Sequence, residues 1–158
     1  MAKLETELKR HVRHKRLTVW SESYEPSLRG GGNGVPDTQV LLCGLLFPIE
    51  FKVGFIEKGL LRSSVRPAQI SWNAKFSRAG GIALLLVGVE CQDDWMIYLM
   101  PGAMIGEIEA GVRYDKRIIK CITPEQNLNK KLVEYINDEW EGVLRHMDKR
   151  WKRNRIGT

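Results

Sequence analysis

The spacing of apolar residues changes several times along the chain, and each change marks an element. Leu4, Leu8 and Val12 recur at four-residue steps among charges, which predicts a helix over residues 3–16. Residues 17–23, with Val19 and Trp20 near the centre, have strand character. Residues 25–34 read Glu-Pro-Ser-Leu-Arg-Gly-Gly-Gly-Asn-Gly, a loop. Residues 37–43 and 45–53 flank Gly44 and predict a hairpin, followed by polar, irregular chain over 54–64. Residues 66–79 predict a helix with Pro67 in its first turn and Gly80-Gly81 as its stop. The unbroken apolar run at 82–89 predicts a strand buried on both faces. Further strands follow at 95–100, ended by Pro101-Gly102, and at 118–122.

The last helix has a strong start signal. Thr123 is a good N-cap, Pro124 suits the first helical position, and Gln126 completes a capping-box pattern. Beyond it Leu128, Leu132, Ile136, Trp140, Val143, Met147 and Trp151 form one stripe, long enough to cover a core and to pair with another chain. The elements together predict a single α/β domain: a mixed central sheet flanked by helices, with a long C-terminal helix (residues 123–151) and a basic tail.

A length of 158 residues suits one domain. The longest apolar stretches, residues 40–49 and 82–89, fall short of the roughly 20 residues that span a bilayer. The charged N-terminus has no apolar signal core, so a cytoplasmic protein that is not secreted is expected. Cys43, Cys91 and Cys121, odd in number and set among apolar neighbours, read as buried thiols in a reducing compartment.

Charge sharpens the picture. The net charge is +6 and the pI about 9.3, which points to a polyanionic partner. Residues 3–16 carry six basic side chains against Glu5 and Glu7, and residues 145–158 carry six against Asp148. The stretch between them holds 13 basic and 16 acidic residues, so the ends attract and the middle does not.

The middle holds the candidate chemistry. Glu50 and Lys52 share one face of a strand whose other positions, Ile49, Phe51 and Val53, are apolar. An isolated Glu-x-Lys on an edge strand is ordinarily a surface ion pair. Here the apolar flanks and the Pro36-Asp37 pair at hairpin distance favour a site instead. Two converging carboxylates, Asp37 and Glu50, suit a hard cation such as Mg²⁺. The loop Arg29-Gly30-Gly31-Gly32-Asn33-Gly34 either cradles a phosphate with backbone N–H groups or is a flexible linker. His11, His14 and His146 do not complete a zinc set.

Pro36-Asp37 followed by Glu50-Phe51-Lys52 resembles the PD-(D/E)XK nuclease signature. Adding the glycine loop, the Arg66-Pro67-Ala68-Gln69 helix start, Trp72 and the closing Ala79-Gly80-Gly81 makes residues 4–90 similar to the VRR-NUC branch. That branch includes small stand-alone phage and bacterial members related to Holliday-junction resolvases. The resemblance implies a restriction-endonuclease-like core and a Mg²⁺-dependent DNA endonuclease, with Mn²⁺ as a substitute, leaving a 5′-phosphate. It implies Asp37, Glu50 and the Phe51 carbonyl as metal ligands and Lys52 as the catalytic lysine, with Gln69 beside the site. Gln69 is otherwise a polar residue at a helix start, facing water.

The family's first-helix glutamate matches Glu5 or Glu7. Glu5 is preferred because it precedes Leu8 by three, and either residue could instead complement the helix dipole. Arg29 and the tail residues Lys149, Arg150, Lys152 and Arg153 are the expected DNA contacts. Trp151, set between these cations, is a stacking candidate. Symmetric cutting of a four-way junction implies a homodimer, with the C-terminal stripe or the strand at 95–100 as its interface. The competing expectations are a repair- or restriction-type nuclease on duplex or flap DNA, and a DNA-binding module that does not cut.

Overall fold

A computed structural model describes residues 2–12, 21–23, 34–36, 38–42, 45–115 and 119–138. It is an α/β fold with a mixed, curled central sheet and helices packed on it. Helix α1 spans Ala2–His11. The strands are β1 (Ser21–Ser23), β2 (Thr38–Leu42), β3 (Leu45–Glu57), β4 (Leu60–Ser63), β5 (Leu84–Cys91), β6 (Asp94–Pro101), β7 (Val112–Arg113) and β8 (Lys120–Ile122). Helix α2 spans Pro67–Arg78, a 3₁₀ turn follows β6 at Gly102–Gly106, and residues 128–138 form α3.

The sheet order is β1-β2-β3-β5-β6-β8, with β4 paired to β3 and to β7. Among the described strands only β3 and β5 pair in parallel; α2 lies in the connection between them, as a parallel pair requires. Strand β5 runs through the middle with Leu84, Leu85, Leu86 and Val87 all buried, the pattern of a strand covered on both faces.

Two apolar layers cover the sheet. On one face Phe47, Ile49 and Phe51 of β3 pack with Leu84, Leu86, Ile97 and Leu99, beneath Leu8 of α1, Val12 just past its end, and Leu128, Leu132 and Ile136 of α3. On the other face Leu85, Val87 and Met100 pack with Leu61, Val65, Ile105 and Ile108, and Ile70 of α2 closes this layer. Helix α1 approaches closely because Gly88 leaves a slot: a Cβ there would lie 2.4 Å from a Leu8 methyl.

The termini of α2 match the sequence pattern. Arg66 is the N-cap, Pro67 opens the helix, and Gly80 takes φ +89 beyond the C-cap Ala79. The N–H groups of Gly80 and Gly81 donate to the carbonyls of Ser77 and Phe76, both at 3.0 Å, which is a Schellman stop.

Four expectations change. Residues 54–64 are not irregular: β3 continues to Glu57 and turns back as β4 through Lys58 and Gly59, whose φ values of +50 and +75 make the tight twist-matched hairpin turn. Lys-Gly is a weaker turn signal than Asn-Gly, so the sequence hid the end of β3 and all of β4. The last helix starts one turn late. Thr123 and Gln126 bond each other in a turn, and the Asn127 side chain caps the N–H of Lys130 at 3.0 Å. The cysteines are not uniformly buried, since Cys91 is exposed at the β5–β6 turn and Cys121 is half-buried. Strand β6 is interior at its centre, bonded to β5 along its length and to β8 at Ile97–Leu99, so those residues offer no free edge for dimerisation.

Residues 13–20, Cys43 and the stripe residues Trp140, Val143, Met147 and Trp151 lie outside the described residues. Among the described residues no helix is long and apolar enough to cross a membrane.

Tyr98 of β6 faces Cys121 of β8, and burial next to that thiol pushes its hydroxyl from 10.0 up to about 12. The folded state therefore keeps this proton after the unfolded chain has lost it, and stability falls as pH rises from 10 to about 12. Chemical denaturation across that window is expected to show a shallower loss of stability in Tyr98→Phe than in the wild type.

Candidate functional site

Strand β3 sets the site by its alternation. Ile49, Phe51 and Val53 join the α1 face, so Glu50 and Lys52 must point toward α2. Both are buried, at 2% and 7% exposure, in the interior of the sheet beside β5. The edge-strand surface ion pair is therefore ruled out for these two residues.

A buried carboxylate needs compensation where it stands. The Lys52 ammonium lies 2.9 Å from Glu50 Oε1. The side-chain amide of Gln69, in the first turn of α2, donates to the same oxygen. Gln69 is 1% exposed, so it does not face water. Its orientation is fixed at both ends: Oε1 accepts the Arg66 backbone N–H at 3.1 Å, which leaves the NH₂ group to turn toward Glu50. A single side chain thus caps the helix and grips the carboxylate.

Two further residues hold this arrangement. Asn73, one turn along α2 and fully buried, donates to the Gln69 carbonyl at 2.9 Å. Its Oδ1 has no hydrogen-bond partner among the described residues and lies against Gly102, where a Cβ would come within 2.4 Å of it. The absent side chain at 102 lets α2 sit deep enough for Gln69 to reach the sheet. Gly34, the last glycine of the loop, takes φ +72 and packs on the start of α2, with a would-be Cβ 1.9 Å from the Ala68 carbonyl oxygen. The end of the glycine loop is therefore seated against the helix that carries Gln69.

Asp37 lies outside the described residues, between the buried Pro36 and Thr38; Thr38 pairs with Ile49, next to Glu50. Arg29 and Lys149, Arg150, Lys152 and Arg153 also lie outside them. Glu5 and Lys52 line one cleft of about 350 Å³, whereas Glu7 lines a different one with His11 and Asp94. Glu5 also pairs with Lys9 at 3.2 Å. Trp72 stacks on Phe76 with ring centroids 4.7 Å apart.

Sequence reasoning missed Asn73, Gly102 and Ser63, whose buried hydroxyl donates to the Val53 carbonyl at 2.8 Å. Asn73 had a signal: it follows Gln69 by four, so two polar side chains share one helix face. Ser63 had none, because β4 was not recognised as a strand.

Among the described residues no three His, Cys, Asp or Glu side chains converge as a ready metal cage. Mg²⁺ does not require one, since it keeps several waters and takes one or two carboxylates plus substrate phosphate. A buried carboxylate next to a backbone carbonyl is hard-oxygen chemistry of that kind. No protein-family model matches the chain, and no curated protein matches it.

Removing the lysine should expose the cost of burying Glu50. Lys52→Met is expected to lower unfolding stability by about 3–5 kcal/mol. The double variant Glu50→Gln/Lys52→Met should recover most of that loss in a denaturant double-mutant cycle. Equal loss in both would mean that the two side chains do not compensate each other.

Proposed function

We propose that this protein is a Mg²⁺-dependent DNA endonuclease that hydrolyses phosphodiester bonds, acting on branched DNA in the manner of Holliday-junction resolvases. The observation that carries the reading is the buried meeting of Glu50, Lys52 and Gln69. These are three of the residues that the PD-(D/E)XK and VRR-NUC resemblance assigns to the site, and they arrive from two separate elements. Structure alone gives little reason to bury a carboxylate and an ammonium here, since an apolar pair of similar size is often at least as stable.

Glu50 and the Phe51 carbonyl, together with Asp37, would hold the cation. Bound there, a divalent cation would supply Lewis-acid chemistry to the scissile phosphodiester and would lower the pKa of an attacking water. Gln69 fixes the rotamer of Glu50, so the carboxylate is positioned before substrate arrives. Lys52 brings a cation to the floor of a cleft open to solvent, where it can orient that water or offset the charge developing on the phosphate. Glu5, on the wall of the same cleft, is the first-helix acid in this reading. Positive charge concentrated toward the two ends of the chain supplies attraction to DNA that the carboxylates do not. Paired cuts across a junction call for a two-fold dimer, which light scattering reads directly.

The test is a cleavage panel with Mg²⁺ on a four-way junction, a flap, plain duplex and single-stranded DNA. Wild type is expected to cut the junction best, with Asp37→Ala, Glu50→Gln and Lys52→Ala each slower by at least about 10²-fold. Unchanged cleavage in all three variants would overturn the site. Equal cutting of junction and duplex would overturn the branched-DNA preference and leave the nuclease standing. Binding without cutting in Mg²⁺ or Mn²⁺ would favour a DNA-binding module.

A further inference from the structure

A second cleft, of about 650 Å³, opens where the end of α1 meets the β5–β6 turn. Glu7, Arg10 and His11 line it from the helix, and Glu90, Asp93 and Asp94 from the turn. At the junction His11 Nε2 stands 2.9 Å from Asp94 Oδ1. The same oxygen accepts the Trp95 backbone N–H at 2.6 Å, so the direction of the carboxylate is set by its own turn. Trp95 is buried, and its ring edge and the Leu8 methyls meet over Gly88.

Helix α1 depends on such anchors. Ten residues are too few to hold a helix in water without tertiary support. Among its described side chains Leu8 alone is fully buried, and Val12 follows just past the end. His11 is the last residue of the helix, with its side chain 12% exposed. Imidazole is the side chain whose ordinary pKa, about 6.5, falls in the physiological range. Its charged form makes a charge-assisted bond to a carboxylate, and its neutral form makes at most a weaker one.

We propose that His11 and Asp94 form a proton-operated clasp on α1: the imidazolium ties the end of the helix to the β5–β6 turn, and loss of its proton loosens that end. Among the described residues of the cleft, Glu7, Glu90, Asp93 and Asp94 outnumber Arg10, and the C-terminal end of a helix carries partial negative charge. Both favour the charged imidazole. Partial burial opposes it, and the carboxylate at contact distance outweighs that cost. The contribution to stability is therefore complete below about pH 6.5 and fades as pH rises through the higher value of the folded state. Glu5 stands on the same helix at the Lys52 cleft, so the clasp makes its placement depend on pH. The clasp stands on geometry alone; its consequence for the first-helix acid rests on the endonuclease reading.

The experiment is an NMR titration of the imidazole carbon-bound protons in the DNA-free full chain, with His14→Gln and His146→Gln used to assign the His11 signal. The His11 midpoint is expected above the ordinary value of about 6.5, and lower by at least about half a unit in Asp94→Asn. Asparagine keeps an acceptor for the Trp95 N–H, so the turn is retained. Amide hydrogen exchange then reads the helix. Protection factors at Leu8 to His11, relative to those in β5, should fall about threefold between pH 6 and pH 8 in wild type. They should stay level in Asp94→Asn and in His11→Gln. A midpoint at or below 6.5, a midpoint that Asp94→Asn leaves in place, or wild-type α1 protection that does not change with pH would each overturn the clasp. These measurements use neither DNA nor metal, so they decide the clasp even if the protein cuts nothing and the endonuclease reading fails.

Discussion

A carboxylate cannot remain ionised inside an apolar sheet unless opposite charge and hydrogen-bond donors reach it there. Glu50, 2% exposed, meets that condition through Lys52 two residues along its own strand and Gln69 on the next helix. Because Lys52 shares the strand, its approach is fixed by the pleat alone. Gln69 depends on how α2 docks, so the compensation of Glu50 links the sheet to the helix. An interaction of this kind adds little net stability, which makes its presence in the core an argument for chemistry.

Much of the surrounding packing serves that docking. Asn73 ties the second turn of α2 to the first, and Gly102 leaves room for it. The Schellman stop at Gly80-Gly81 sends the chain directly into β5, the parallel partner of the strand that carries Glu50 and Lys52. Gly34 presses the end of the glycine loop onto the start of the same helix. Lines of contact from the loop, the sheet and the 3₁₀ turn thus converge on the first two turns of α2, which carry Gln69 and Asn73.

The elements with strong local signals were legible in the sequence. The bounds of α2 followed from Pro67 and the glycine pair, and β5 from an unbroken apolar run. The Glu50–Lys52 face followed from alternation alone. The β3–β4 hairpin was not legible, because Phe55 and Ile56 are exposed despite being apolar and the turn uses Lys-Gly. The start of α3 was misplaced because Thr123 and Gln126 spend their capping chemistry on a separate turn. The roles of Asn73 and Gly102 were hidden for a different reason: their contact joins residues far apart in the chain, and no local pattern encodes it. Asn127 shows the opposite case, a cap present in the sequence but outranked by a stronger-looking neighbour.

The account stands on Glu50 being a carboxylate held ready for a divalent cation. Thermal unfolding of the DNA-free protein with increasing Mg²⁺ and Mn²⁺ tests this directly, because an ion that binds only the folded state raises the midpoint as its concentration climbs past its dissociation constant. Wild type should be stabilised progressively by either ion, and Glu50→Gln should show no metal-dependent shift. An identical shift in both proteins, or none in wild type at millimolar Mn²⁺, would contradict the assignment of Glu50 as a metal ligand.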